Sequence, residues 1–457
     1  MQSSTRARLA VTLATLLIGF SAPTSADAQA QATTPNRELA KLQSRLATNP
    51  NNVSALRDVG LKLFELGRFA EARPMLDQGR RLDPKCGLCA LYAGLASEEL
   101  KDFTAARLAY TKYIEVGTTA KTKKQIRERL LSMAKTELAQ SAKRAVANEN
   151  ALRGVPSPMT TVAVLPFTCT CPDTTLLPLE RGMAELVVSD LSRSSSLKVL
   201  ERDRMQAIVD EISLSRTAHV DANTVTRAGK LIAAGRILNG AILAPGGGTL
   251  NLTGAVVNTN NSQIETNPAA NGTMTALFDI EKNFVLDVFA KLSITLTPAE
   301  RREFDKRPTQ NLQAFLAFSR GLMAEDAGRL DDAQRFFESA RSLDPGFGAA
   351  LQRAQSAAAA QSGAALTSAK VELGLRNSNE GQIVSAANRG ARSEGSLGAT
   401  LNNVVGDVNP TTTNTVQNST GGTGGANTPQ QNQVAQTTGA DQPALRTGQL
   451  TIVLKKP

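Results

Sequence analysis

Four cysteines, one histidine and a few adjacent carboxylates are the residues of this 457-residue chain that could carry covalent or acid–base chemistry. Cys86-Gly87-Leu88-Cys89 and Cys169-Thr170-Cys171 form two close pairs, and four cysteines allow three connectivities. A Cys-x-x-Cys at a helix start favours the thiolate and suits thiol exchange. No β-α-β pattern of the thioredoxin kind surrounds Cys86, so a thiol oxidoreductase stays an alternative rather than the leading reading. A shared zinc site is a further alternative; inert disulfides or free thiols are the readings the pattern favours. Pairing within each motif closes very small loops and stabilises little through chain entropy. His219, alone and in a polar stretch, excludes a His-rich metal site and leaves a Ser-His-Asp catalyst unsupported. Asp210-Glu211 and Glu98-Glu99 are carboxylate pairs of the kind used in acid–base work, but on helices they mark wet faces. Gly246-Gly247-Gly248 lacks the Lys-Ser/Thr of a phosphate loop and reads as a hairpin turn. No catalytic constellation, metal site or cofactor is expected, and the chain is read as a non-enzyme.

The elements that would position these residues follow from composition and periodicity. Apolar residues make up 41% of the chain, enough for real cores. No apolar run reaches the ~18–20 residues of a membrane helix. The net charge of +10 suits an anionic partner only weakly over this length, and no nucleic acid is expected. Residues 1–30 read as a cleaved secretory signal. Arg6 and Arg8 precede the apolar stretch Leu9–Phe20, and Ala26-Asp27-Ala28 and Ala28-Gln29-Ala30 both fit an A-x-A site. Export to a periplasm is therefore expected, a compartment where cysteines can pair.

A 34-residue period follows, with Val53 as its first position. Leu56, Val59, Gly60, Leu63, Phe69, Ala72, Leu76, Gly79 and Pro84 occupy large, small and helix-stopping slots, with Leu66-Gly67-Arg68-Phe69 as the turn. Ala93, Gly94, Phe103, Ala106, Tyr110 and Tyr113 repeat the pattern, with Thr118 in place of the proline. Gly321, Leu330, Ala333, Phe337, Ala340, Asp344 and Pro345 repeat it again behind a Gly328-Arg329-Leu330 turn. Small residues at two slots let paired helices approach closely, and bulky ones fill the space between neighbours. Over 53–118 and 314–347 the chain resembles the tetratricopeptide repeat (TPR) family. The expected blocks are 37–153, ending in a basic capping helix over 120–150 (Lys121, Lys123, Lys124, Arg127, Arg129, Lys135, Lys143, Arg144), and 308–360.

Between them, Gly154-Val155-Pro156-Ser157-Pro158 marks a boundary, and 160–298 mixes short strands with helices in an α+β unit. Strands are expected at 162–167, 197–200, 237–243, 250–257 and 262–266, with helices at 178–194, 203–213, 222–234 and 275–294. Val-Ala-Val-Leu-Pro-Phe (162–167), Leu186 to Leu191, Leu-Lys-Val-Leu-Glu-Arg (197–202), Ile208-Val209-Asp210-Glu211 and Gly229-Lys230-Leu231 to Gly240-Ala241-Ile242 carry a second resemblance. They are similar to the periplasmic domain of the CsgG-like family, which includes the curli-subunit secretion channel and whose fold recurs at the amino terminus of TolB. That resemblance implies an α/β sandwich, ring formation through this domain and, for Glu201-Arg202, a structural ion pair. The channel's two membrane hairpins have no equivalent. Only a Gly-rich turn separates Leu243 from Leu250, and 262–274 is polar, short and contains Pro268, whereas each barrel strand needs about 9–11 residues of alternating apolarity. The lipid-bearing cysteine of the channel is also missing.

Residues 361–445 are rich in Ala, Ser, Gly, Asn, Thr and Gln and are expected to be disordered; 446–457 holds an alternating stretch that could act as a terminal strand. The TPR resemblance places Ser54, Arg57, Leu61, Phe64 and Glu65, then Leu88, Leu91, Leu95, Glu98 and Glu99, on a concave groove. Apolar centres with charged rims suit an extended peptide or a partner helix. The expected whole is a periplasmic scaffold or adaptor, TPR segments flanking a CsgG-like domain. It would bind proteins or peptides, with peripheral outer-membrane association, to assist assembly or export of a surface component. A curli-type channel subunit is the alternative.

Overall fold

The computed structural model describes residues 25–152, 154–212 and 222–389. The apolar stretch of the expected signal, His219 and the 446–457 strand lie outside them. The chain opens as a run of helices: α1 (Ser25–Thr48), α2 (Val53–Glu65), α3 (Phe69–Leu82), α4 (Gly87–Glu99), α5 (Phe103–Val116), α6 (Ala120–Ala147) and the short α7 (Glu149–Leu152). Each of α1–α5 packs on the next. The starts of α2 and α4 lie 34 residues apart, as do those of α3 and α5. Asn52 and Asp102 cap two of them by accepting the Ala55 and Ala105 amides, the usual way of satisfying free helix N–H groups. Gly67 ends the first pair's turn at φ +71°, and Lys101, in the matching slot, adopts φ +60°. There a side chain pays a strain that glycine avoids.

The close approach expected of the small slots is present. A Cβ on Gly60 would fall 2.6 Å from Leu76 Cγ; on Gly94 it would strike the Tyr110 ring closer still, and on Gly321 the Phe337 ring. Leu76, Tyr110 and Phe337 are fully buried. Each therefore fills the notch its glycine leaves.

The middle of the chain forms β1 (Thr161–Val164), β2 (Thr168–Thr170), α8 (Leu179–Leu191), β3 (Lys198–Val199), α9 (Arg202–Glu211), α10 (Ala222–Leu231), β4 (Arg236–Gly246), β5 (Thr249–Asn258), β6 (Gln263–Thr266), β7 (Ala269–Thr273) and α11 (Leu277–Lys291). The strands make one seven-stranded mixed sheet in the order β3-β1-β4-β5-β6, with β2 also beside β4 and β7 beside β5. Alternation along β1 supplies two cores. Val162 and Val164 join Leu238, Leu252 and Val256 under α8 and α11; Ala163 and Leu165 join Ile237 and Val257 under α9 and α10. The expected α+β fold is what forms, with β2 and β7 as additions: the three residues of β2 are too few to show alternation, and Ala269–Thr273 of β7 carries no large apolar residue.

The β4–β5 hairpin turns at Gly246↔Thr249 and stays within the sheet along its length. At its far end β2 pairs with Ala241–Leu243 on one side, and β7 pairs with Thr249–Thr253 on the other. Ile242, Ala244, Leu250 and Leu252 are buried there.

The chain then adds α12 (Pro298–Phe304), α13 (Leu312–Asp326), α14 (Leu330–Leu343), α15 (Gly348–Ala364), α16 (Ser368–Leu375) and α17 (Asn379–Arg389). Thr297 and Glu300 close a capping box on α12. Helix α13 packs on α8, and α15 packs along α6. Two expectations are corrected here. The basic helix is no terminal cap with one wet side, because α6 lies between α5 and α15 and joins the two helical blocks into one layer. Lys121, Lys124, Arg127 and Lys143 keep its solvated face, while Arg129 is buried against Glu98. Residues 361–389, expected to be disordered, instead complete α15 and form α16 and α17. Their alanines and glycines carry little apolar signal, yet small side chains permit the close helix contact that buries Gly363 against the α6 backbone.

Arg202 corrects a third point. It is buried and pairs with Glu185 at 3.2 Å, Asp203 at 2.6 Å and Asp326 at 2.6 Å, leaving its expected partner Glu201 exposed. Arg353 reaches Glu185 at 2.9 Å and Glu325 at 3.0 Å in the same cluster. Buried charges persist only when paired in this way, and the cluster ties α8, α9, α13 and α15 together.

Candidate functional site: a groove in the first helical block

Helices α2 and α4 carry the residues expected to line a groove, and the structure separates them into three groups. Leu61, Phe64, Glu65 and Glu99 line a cavity of about 280 Å³, together with Gly67, Phe69 and Tyr92. Leu88, Leu91 and Leu95 are buried in the core of the block and do not face solvent. Arg57, Glu98 and Ser54 stand apart from the cavity. Arg57 bonds Asp58 at 2.8 Å, Glu98 accepts from Tyr110 at 2.7 Å and from Arg129 at 2.7 Å, and Ser54 is exposed.

The other wall of the cavity is Ser368, Glu372 and Val384, from α16 and α17. Sequence reasoning missed these residues because they sit in the segment read as disordered. The signal that could have found them is the spacing of Val371 and Leu375, one helical turn apart. Both are fully buried, in the same apolar cluster as Leu61, Leu91 and Leu95.

Polar contacts fix this segment more narrowly than its apolar ones. The Tyr92 hydroxyl donates to Glu372 at 3.0 Å. Glu380 is seated where α5 gives way to α6: it accepts from the Tyr113 hydroxyl at 2.9 Å, the Thr118 amide at 3.1 Å, and the Thr119 amide and hydroxyl at 3.2 and 2.5 Å. Four donors for one carboxylate, at the positive end of a 28-residue helix, make a built anion pocket. Arg129 Nη1 donates to the Leu366 carbonyl at 2.5 Å, anchoring the start of the segment.

Burial, then the nearby Glu372 and Glu380 carboxylates, push the Tyr92 and Tyr113 hydroxyls up, so both stay neutral donors. Burial also raises Glu372, against the Tyr92 bond, and Glu65 across the cavity adds to the rise. Three aromatic rings stand beside the acidic rim: Phe64 lies 5.1 Å from Phe69 and 5.2 Å from Tyr92, centroid to centroid.

The cysteines are paired within their motifs, Cys86 with Cys89 and Cys169 with Cys171. Cys86 caps α4 through its sulfur, and Cys89 is fully buried. Among the described residues, no three or more His, Cys, Asp or Glu side chains converge as a metal site, and no helix is long and apolar enough to cross a membrane.

A mixed sheet covered by helices on both faces, joined to helix pairs of 34-residue spacing, defines an α+β fold. Residues 141–267 match the family model described as the curli production assembly/transport component CsgG. The match runs from the last turns of α6 to the end of β6 and covers less than a third of the chain. No curated protein matches the chain.

Proposed function

We propose that this chain is a non-enzymatic adaptor of the bacterial periplasm, working at the outer membrane in the assembly or export of a surface component. Its sheet domain is the CsgG-like scaffold, and its helix pairs are tetratricopeptide repeats that bind protein. The observation that carries the reading is the match of 141–267 to a curli assembly/transport component, beside a groove whose apolar floor and acidic rim suit a polypeptide ligand. The helix pairs support the repeat assignment through their shared glycine notches and turn positions.

The family match also favours a second reading, a channel subunit of the curli type. Geometry weighs against it: β4 and β5 are held on both flanks by β2 and β7 and packed beneath α11, and only Asn267 and Pro268 separate β6 from β7. To span lipid, these strands would have to leave the sheet that buries them.

Cell fractionation of the untagged protein separates the two. The adaptor is released with the soluble periplasm or by a salt wash, whereas a channel needs detergent. A photo-crosslinking residue at Glu99, on the groove rim, is expected to capture a discrete protein partner in cells. Failure to capture any protein there overturns the adaptor reading. Self-association through the sheet domain is part of the proposal, and a purely monomeric mass across micromolar concentrations refutes that part.

A further inference from the structure

The groove of the first block is walled on one side by the same chain, through Ser368 and Glu372 of α16 and Val384 of α17. We infer that this groove recognises a helical segment that carries one directed carboxylate beside apolar residues, and that segment 366–389, with its helices α16 and α17, is its resident ligand, displaceable by a partner segment that presents the same carboxylate. The inference rests on the adaptor reading above and names what the partner must look like.

Three observations carry it. The segment buries two apolar residues, Val371 and Leu375, in the core of the block, and seats a single carboxylate, Glu380, in a pocket of four donors. Among the described residues no cation pairs with Glu380, and the pocket reads a carboxylate by hydrogen bonds in fixed directions, which selects position as well as charge. The second observation is the tether. Only Ala365, Leu366 and Thr367 join α15 to α16, and a short tether gives an effective concentration on the order of 1 mM. Such a tether holds the groove occupied whenever the intrinsic dissociation constant lies well below that concentration, and it weakens a free ligand by the ratio of the two. The third is misfit. The docked segment leaves a cavity of about 280 Å³ beside Phe64, Phe69 and Tyr92, and places its own Glu372 near Glu65 and Glu99. A partner helix with lysine or arginine at that position would lay its methylene stem on the rings and its charge among the carboxylates. It would keep the Glu380 contact and fill what the resident leaves open. The groove is thus matched to a better ligand than the one it holds.

The test uses the full mature chain and a fluorescein-labelled synthetic peptide of residues 366–389, read by anisotropy. The intact chain is expected to bind the peptide weakly. The Glu380→Ala chain, whose own segment has lost its anchor, should bind it about ten- to a hundredfold more tightly, the value of hydrogen bonds to a charged group. A peptide carrying Glu380→Ala should bind neither chain, and one carrying Glu372→Lys should bind the Glu380→Ala chain more tightly than the native peptide. As a second form, a protease site replacing 365–367 is cut after folding, and excess peptide should release the 368–457 fragment on size exclusion. Equal peptide binding by the two chains, together with retention of the cut fragment, overturns the inference. Its failure is distinct from that of the adaptor reading: partner capture at Glu99 with no peptide exchange removes only this inference, and peptide exchange with no partner in cells removes only the adaptor.

Discussion

Adding one methyl group at Gly94 tests whether the helix pairs are packed as described. An alanine Cβ there meets the ring of Tyr110, which is fully buried and pinned at its hydroxyl by Glu98 at 2.7 Å. The ring can neither tilt outward nor slide without breaking that bond, so the backbones of α4 and α5 must separate. Overpacking of this kind costs about 1–3 kcal/mol, and alanine's better helix propensity returns about 0.8–1 kcal/mol. Because the ring is held at both ends, the net loss should lie near the top of the range, about 2 kcal/mol. At Gly60 the obstacle is the Leu76 side chain, 2.6 Å from the new carbon and free to change rotamer, so the same substitution should cost about 0–1 kcal/mol. Gly321→Ala, against the Phe337 ring that Phe318 flanks at 5.4 Å, should resemble Gly94→Ala. Gly154 has nothing within 4 Å and serves as the control, with a change inside about 0.5 kcal/mol. Urea unfolding followed by circular dichroism, with hydrogen exchange of the α4 and α5 amides, reads the order. Gly94→Ala indistinguishable from Gly154→Ala would refute the shared notch geometry.

Two further predictions concern buried charge. Glu281 is fully buried beside Asp190 and Lys282; burial first, then the Asp190 charge, pushes its carboxyl well above the usual range. Lys282 meanwhile donates to Asp190 and the Phe304 carbonyl at 2.5 Å each. A carboxyl raised in the fold contributes stability that is fully present below its unfolded pKa, near 4.5, and lost as pH rises toward its folded value. Glu281→Gln should therefore flatten the decline in urea midpoint between pH 5 and pH 8 and exceed wild type at the upper end; an unchanged slope would exclude the buried neutral acid. Arg202→Ala strips the common partner from Glu185, Asp203 and Asp326 and should cost about 3–5 kcal/mol. Thermal unfolding of the purified variant measures it, and a loss below about 1 kcal/mol would mean the cluster is wetter than its geometry implies.

How much of this could be read in advance differs from element to element. The 34-residue spacing located α2 to α5, α13 and α14, because glycine notches and bulky partners recur at fixed offsets along one chain. The Gly-rich turn located the β4–β5 hairpin, since only glycine takes φ above +60° at three successive positions cheaply. At the groove, Leu61, Phe64, Glu65 and Glu99 were found from repeat register alone, and four of the ten expected lining residues therefore border the cavity.

What sequence alone determined about this protein is what neighbours along the chain decide: helix periods, turn positions, the alternation of strands with helices, and the resemblance of its middle third to an assembly component. Only the tertiary structure decided which distant surfaces meet. The contact of α6 with α15, the pairing of Arg202 with Glu185 and Asp326, and the seating of Glu380 against Tyr113 join residues from 17 to hundreds of positions apart. Alanine-rich helices such as α15 announce no apolar face, because their stability comes from close approach rather than from large side chains. A composition that looks disordered in isolation becomes ordered when a partner surface is already formed to receive it.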